Sequence, residues 1–387
     1  MVEEKKVPKL RFKGFVQEWE QRKLGDIYEK IRNAFVGTAT PYYVENGHFY
    51  LESNNIKDGT INRNTEVYIN DEFYKKQKDK WLKTGDLVMV QSGHVGHTAV
   101  IPKDLNNTAA HALIMFQIQK RKTNSYFLNY QLQTASSKQK IDIITTGNTI
   151  KHILASEMKN FEVFICSSNE ENKIANFFET LDDTITLHQR KIEQLKLFKQ
   201  AFLQKMLANQ ENVPEIRFAD FDVYWEQHTL GETTDIRAGR DYKHLKSGNI
   251  PVYGTGGYML SVDDALSFDK DAIGIGRKGT IDNPYILKAP FWTVDTLFYV
   301  IPRNGNEIDF FYSVFQKINW KSKDESTGVP SLSKSAINSI LVYAPSKDEQ
   351  KKIGAFFKYF DENILIHQHK VNLLKQLKKA FLQKMFI

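Results

Sequence analysis

Cysteine is almost missing from this sequence: Cys166 is the only one among 387 residues. That excludes an intrachain disulfide framework and any cysteine-rich zinc or iron–sulfur site, and it fits a reducing compartment. Cys166 itself reads as a small core residue. Long apolar runs are missing as well, since none approaches the ~18 to 20 residues that a membrane helix needs. The N-terminal Glu3, Glu4, Lys5 and Lys6 lead into no apolar stretch of the kind a signal peptide carries. The expected location is therefore the cytoplasm, with no membrane partner. Charge of one sign is only in mild excess: 53 Lys and Arg stand against 46 Asp and Glu, net +7. This leans toward a polyanionic partner without establishing one. With 41% apolar and 26% charged residues, the chain is neither disordered nor collagen-like and is long enough for two or three domains.

Recognisable catalytic machinery is also lacking. No Walker motif, metal-spaced triad or G-x-S-x-G occurs. Gly274, Gly276 and Gly279 satisfy G-x-G-x-x-G after an apolar run, and Asp295 follows 19 residues beyond Gly276. A dinucleotide site, however, needs a helix opening from the last glycine so that its amides can hold the pyrophosphate. Thr280, Ile281, Asp282, Asn283 and Pro284 are turn chemistry instead. Asn283-Pro284-Tyr285 resembles the N-P-P-aromatic motif of amino-methyltransferases but lacks its second proline. Glu157 and Lys159 have no upstream Pro-Asp partner for a nuclease core. His367 and His369 sit two apart on an expected helix, which turns them to different faces. The chain is expected to do no chemistry of its own and to hold no metal.

What the sequence does have is an internal repeat. Residues 171–206 recur at 350–385 without a gap, an offset of 179. Lys173, Ile174, Phe177, Phe178, Asp182, Ile185, His188, Gln189 and Lys191 return as Lys352, Ile353, Phe356, Phe357, Asp361, Ile364, His367, Gln368 and Lys370, and the run Ala201–Met206 returns as Ala380–Met385. A second match lies upstream of each: Pro8, Arg11, Phe12, Phe15, Trp19, Glu20, Gln21, Leu24 and Gly25 return as Pro214, Arg217, Phe218, Phe221, Trp225, Glu226, Gln227, Leu230 and Gly231, at an offset of 206. Since 206 exceeds 179 by 27, the intervening stretch is that much longer in the first half.

The recurring segments read as long helices of ~50 to 55 Å. Bulky residues alternate at spacings of four and three: Leu181, Ile185, Ile192, Leu195, Phe202 and Met206 in one copy, and Phe360, Ile364, Val371, Leu374, Phe381 and Met385 in the other. His188, His367, Lys199 and Lys378 are polar in the same seam, either to fix register or as satisfied side chains at its edge. Between the helices lie short strands, among them the apolar runs 86–90 and 272–275 and the cluster Phe291–Val294. The expected fold is α+β: two mixed α/β domains, 1–170 and 214–349, joined by helices 171–207 and 350–387 with a connector at 208–213. Antiparallel pairing of the helices would create a pseudo-twofold axis.

Each α/β domain gathers basic and polar residues near glycine-rich turns, the combination that approaches a phosphate backbone and reaches base edges. In the first domain the candidates are Lys57, Arg63, Ser92, His94, His97, Lys120, Arg121 and Lys122. In the second they are Arg237, Arg240, Lys243, His244, Arg277 and Lys278, with Arg277 suited to a base edge and Lys278 to a phosphate. Taken singly, each also reads as a solvated surface charge.

The order of these features carries a family resemblance. Leu24 and Gly25 open a variable stretch; Thr146 and Gly147, echoed by Thr327 and Gly328, precede the helix start with its Lys173, Ile174, Phe177 and Phe178; and Phe202–Met206 closes the helix. This resembles the specificity subunit of type I restriction-modification systems over nearly the whole chain. The resemblance implies two target-recognition domains, each reading half of a bipartite double-stranded DNA site, with an antiparallel coiled coil setting their separation. It further implies two methyltransferase subunits and restriction/translocase subunits as partners, which would bind S-adenosylmethionine, ATP and Mg2+ and carry out the chemistry of phage defence. Half-sites about one helical turn apart, ~34 Å, suit a helix pair of this length. A protein-interaction scaffold built on the same repeat is the alternative.

Overall fold

The structure, a computed structural model, describes residues 6–147, 151–208 and 212–387. Glu3, Glu4 and Lys5, and residues 209–211 of the expected connector, lie outside the described residues. The chain divides into two compact units, Met1–Leu187 with Val371–Ile387, and His188–Lys370. The long helices are Ser168–Met206 and Lys347–Met385, and each contributes a part to each unit.

Both helices start three residues earlier than the repeat alone indicates. Ser167 and Ser346 sit just ahead of them, and their hydroxyls accept from the backbone N–H of Glu170 and Glu349, at 3.4 Å in each case. Serine three residues before glutamate is a helix-start signal in its own right.

In the first unit a four-stranded antiparallel sheet runs in the order Tyr28–Asn33, Leu113–Gln119, Leu87–Val90, Thr98–Val100. Leu87, Val88, Met89 and Val90 are all fully buried, as an unbroken apolar run in an interior strand should be. A second four-stranded sheet runs in the order Ala109–Ala110, His48–Leu51, Val67–Ile69, Tyr43–Val44. The second unit repeats the main sheet as Thr234–Ala238, Leu297–Pro302, Ala272–Gly276, Tyr285–Leu287. Beside it lies a three-stranded sheet of Gly257–Val262, Ser247–Gly254 and Trp292–Thr293.

The frame around these sheets recurs in both units through a set of matching contacts. Arg11 donates from Nε and an Nη to Glu170, at 2.5 and 2.8 Å, and Arg217 does so to Glu349, at 2.7 and 2.7 Å. Lys173 lies over the Phe15 ring and Lys352 over Phe221, each at 5.1 Å. Trp19 packs edge-on to Phe127, and Trp225 edge-on to Phe310. The strand Glu20–Lys23 pairs antiparallel with Glu162–Ile165, and Glu226–Thr229 pairs with Leu341–Ala344. Cys166 is buried in the core of the first unit, with Trp19, Phe178 and Phe386.

Within each unit the helix segments pack antiparallel. In the first, Phe177 meets Phe381 at 5.0 Å and Asp182 meets Lys378 at 2.6 Å. In the second, Phe202 meets Phe356 at 5.1 Å, and Lys199 pairs with Asp361. Of the apolar seam residues, Ile185, Ile192, Leu195, Phe360 and Val371 are buried, while Leu181, Phe202, Ile364, Leu374 and Phe381 are half-buried. The two seam lysines are satisfied by an aspartate on the opposite helix. Burial pushes the Lys199 ammonium down and Asp361 opposes that shift. His188 and His367 face each other through their Nδ1 atoms at 2.9 Å. One ring must donate and the other accept, so at least one is neutral. Desolvation, then His188, Lys370 and Lys191, hold the His367 pKa below its ordinary value.

The arginine–glutamate pair yields a direct test. Glu349 keeps 1% side-chain exposure, so Arg217→Ala strands a buried carboxylate. The expected loss is about 3 to 5 kcal/mol from the second unit, read by urea denaturation. A loss under about 1 kcal/mol would make the pair an ordinary surface bridge.

Candidate nucleic-acid interface

In the first unit the strands Leu87–Val90 and Thr98–Val100 are joined by a turn through Gln91–His97. Gly93 (φ 78°) and Gly96 (φ 87°) supply its left-handed backbone, which a side chain would strain. The turn is held closed by Val90 N–H on the His97 carbonyl (2.8 Å) and Gly96 N–H on the Val90 carbonyl (3.1 Å). The short hairpin Ile56–Lys57/Thr60–Ile61 abuts it: the Asp58 N–H donates to His97 Nδ1 at 3.4 Å. An accepting Nδ1 means a ring without a proton there. Burial pushes the His97 pKa down; Asp58 opposes this, while Lys138, His94 and Lys57 add to it. Beside the turn, Asp58, His97, Gln133, Lys138 and Asp142 line a recess of about 180 Å³.

Lys57 and His94 are exposed and Ser92 and His97 half-exposed, so four of the expected residues are gathered around this turn. Arg63 is exposed but held by Glu66 at 2.6 Å and Asp104 at 3.7 Å, and it lies over the Phe49 ring. Lys120, Arg121 and Lys122 are elsewhere. Strand Leu113–Gln119 has Leu113 opposite Val90, next to the turn, and Gln119 opposite Tyr28 at its other end. The basic run follows Gln119, so the strand separates it from the turn by roughly 20 Å at 3.3 to 3.4 Å per residue. There the Lys120 ammonium donates to the Gly25 carbonyl at 2.9 Å, and Arg121 pairs with Glu20 at 3.1 Å.

In the second unit the equivalent turn follows strand Ala272–Gly276. A Cβ on Gly276 would sit 1.9 Å from the Thr280 carbonyl oxygen, so that glycine serves a tight backbone return. No helix follows it, which removes the dinucleotide fingerprint. Arg277 and Lys278 are exposed, and both backbone N–H groups donate to the Thr296 carbonyl, at 2.8 and 3.3 Å. The Arg277 guanidinium donates to the Asp295 carbonyl at 3.4 Å and lies 5.8 Å from the Phe298 ring centre. On the other side of this segment the Arg240 N–H donates to the Thr293 carbonyl at 2.8 Å, and the Trp292 indole donates to the Arg240 carbonyl at 2.9 Å. His244 packs edge-on to Trp292. Arg240 and Arg277 thus flank residues 293–296. Lys243 is exposed on the adjoining loop, whereas Arg237 is drawn to Asp235 at 2.7 Å, which also takes Arg303.

A segment that sequence reading did not select completes both turns. In the first unit Gly93 N–H donates to the Lys151 carbonyl and Ile153 N–H to the Gln91 carbonyl. In the second, Gly279 N–H donates to the Pro330 carbonyl and Leu332 N–H to the Arg277 carbonyl. Residues 151 and 153 become 330 and 332 at the repeat offset, so the repeat reaches further back than side-chain identity reveals. The same ladder corrects the echo of the Thr-Gly pairs: Thr146 bonds to His152, and Glu325, not Thr327, makes the corresponding bond to Ser331.

Among the described residues no cluster of three or more His, Cys, Asp or Glu could hold a metal, and no helix is long and apolar enough to cross a membrane. Two units share one frame and carry unlike surface loops, an architecture for displaying two different contact surfaces. A family model described as the type I restriction modification DNA specificity domain matches residues 16–197 and 222–376, and the chain belongs to that family. A Mycoplasma genitalium chain provisionally named a type I specificity subunit is 25% identical over 271 residues, 67% of this chain and 70% of that one. A type I restriction enzyme specificity subunit of Methanocaldococcus jannaschii is 22% identical over 335 residues, 78% of this chain and 76% of that one. The crystal structure of a type I system S subunit from M. genitalium overlays with a TM-score of 0.73 at 19% identity, covering 98% of this chain and 99% of that one.

The unequal anchoring of Arg277 and Lys278 separates their expected effects. Arg277→Ala should cost roughly 1 to 3 kcal/mol of DNA affinity and relax preference at one base pair, because a guanidinium held in place can be bidentate to guanine. Lys278→Ala should weaken binding evenly and lower the salt slope by about one unit. Binding to a panel of single-base variants at several salt concentrations reads both. Wild-type affinity and profile in both variants would remove the turn from the interface.

Proposed function

We propose that this chain is the DNA-reading subunit of a type I restriction-modification complex, in which each unit reads one half of a bipartite target. The observation that carries this is the split between frame and content. The arginine–glutamate pair, the tryptophan contact, the strand ribbon and the loop ladder recur residue for residue. The turn they present is Gln91-Ser92-Gly93 in one unit and Arg277-Lys278-Gly279 in the other. Equal frames with unequal turns suit two readers of different sequences, and shape or charge alone would not need such a device.

The helices serve two further purposes in this reading. They set the spacing of the half-sites, and they dock two methyltransferase subunits. Their exposed apolar side chains favour docking: Leu187, Leu373 and Leu377 in the first unit, and Leu197, Phe198, Tyr359, Leu365 and Ile366 in the second. Side chains of this size standing in water on a helix mark an interaction surface. S-adenosylmethionine, ATP and Mg2+ belong to the partner subunits, as do methylation and cleavage, and the assembly works in the cytoplasm, where the DNA is.

Modularity supplies the test. Exchanging residues 231–349 for the corresponding stretch of a related subunit should change one half of the DNA target and leave the other as it was. A change in both halves would contradict two independent readers. Absence of any sequence preference would favour the scaffold reading instead.

A further inference from the structure

The glycine turn of each unit is one strand of a two-stranded ladder, and the second strand is laid out identically in both. In the first unit Lys151 and Ile153 bond to Gly93 and Gln91, leaving His152 directly opposite Ser92 as an antiparallel pair. In the second unit Pro330 and Leu332 bond to Gly279 and Arg277, leaving Ser331 directly opposite Lys278. Directly opposed residues of an antiparallel pair send their side chains to the same face. His152 therefore shares a face with Ser92, and Ser331 shares one with Lys278.

Burial shows which face is inward. Ile153 has no exposure and Leu332 has 3%, so the neighbour of each paired residue anchors the ladder in the core. Side chains alternate along a strand, so the paired residue is turned the other way. His152 is exposed and Ser331 is half-exposed. The anchor is apolar in both copies, Ile153 and Leu332, whereas the outward position holds an imidazole in one and a hydroxyl in the other. Both groups donate and accept hydrogen bonds, the property needed to distinguish base edges, and they differ in reach.

We propose that this outward position of the second strand, His152 in the first unit and Ser331 in the second, is a specificity-determining position that contacts a base edge beside the glycine turn. The proposal rests on the DNA-reading function above and adds to it a residue outside the turn. Reading is done by the ladder as a whole. The turn supplies close backbone approach, and the strand behind it supplies a side chain held in fixed register.

The test uses the full chain assembled with its methyltransferase subunits, and duplex DNA bearing the target selected by the unsubstituted protein together with every single-base variant of it. His152→Ser and His152→Asn are compared, with thermal unfolding recorded for each. Because the side chain is exposed, both should fold as the parent does. The expected result is a change of about tenfold or more in relative affinity at one or two base pairs, confined to one half-site and larger for His152→Ser than for His152→Asn. An unchanged profile for both variants would overturn the proposal, as would a uniform loss across all sequences, which marks a backbone contact. If the unsubstituted protein showed no base preference, the DNA-reading function would fail and take the proposal with it. A preference present but unmoved overturns the proposal alone.

Discussion

Each half of this protein is closed by one buried ion pair, and the remaining frame is arranged around it. An arginine from the segment ahead of the first strand, Arg11 or Arg217, reaches the glutamate in the first turn of the long helix, Glu170 or Glu349, and binds both of its oxygens. The glutamate belongs there for two reasons. Its position near a helix N-terminus places negative charge where the helix dipole favours it, and its fork matches the planar guanidinium. Removing either member would leave the other desolvated and unpaired, so the pair constrains the fold more than it adds net stability. It fixes where the helix begins relative to the arm, and from that follow Trp19 or Trp225 in the core and the lysine over Phe15 or Phe221.

The helix seam is governed by a similar economy. A lysine in an apolar seam would be costly alone, yet Lys378 meets Asp182 in one unit and Lys199 meets Asp361 in the other, the same pair carried by the repeat. An antiparallel match in any other register would leave these charges without partners, so the polar positions select one alignment from those the apolar residues would accept. The facing histidines add a short contact that tolerates no second proton.

Much of this was legible in the sequence because repeats expose a frame directly. The offsets of 179 and 206 already group Arg11 with Arg217 and Lys199 with Lys378. What they cannot indicate is that Arg11 and Glu170, 159 residues apart, touch. The early helix starts are legible too, since Ser167 and Glu170 recur as Ser346 and Glu349 at the same offset of 179, just ahead of the matched segment 171–206. The basic run 120–122 lies at the end of strand Leu113–Gln119 away from the turn, a separation that charge along a sequence does not indicate. The second strand of the ladder is hidden for another reason: Lys151 and His152 stand where the other copy has Pro330 and Ser331, so residue identity does not align them. Only the backbone bonds on either side of them reveal equivalence, and those run between main-chain groups rather than side chains.

The central claim is that two units on a common frame read two separate half-sites. The most direct measurement is the map of methylated bases in the genome of a cell carrying this chain with its methyltransferase partners, compared with the same cell lacking the chain. The account predicts a single bipartite motif, two specified stretches separated by a fixed run of unspecified bases, and its disappearance when the chain is removed. Methylation at one continuous motif, or a bipartite motif that persists without this chain, would contradict it.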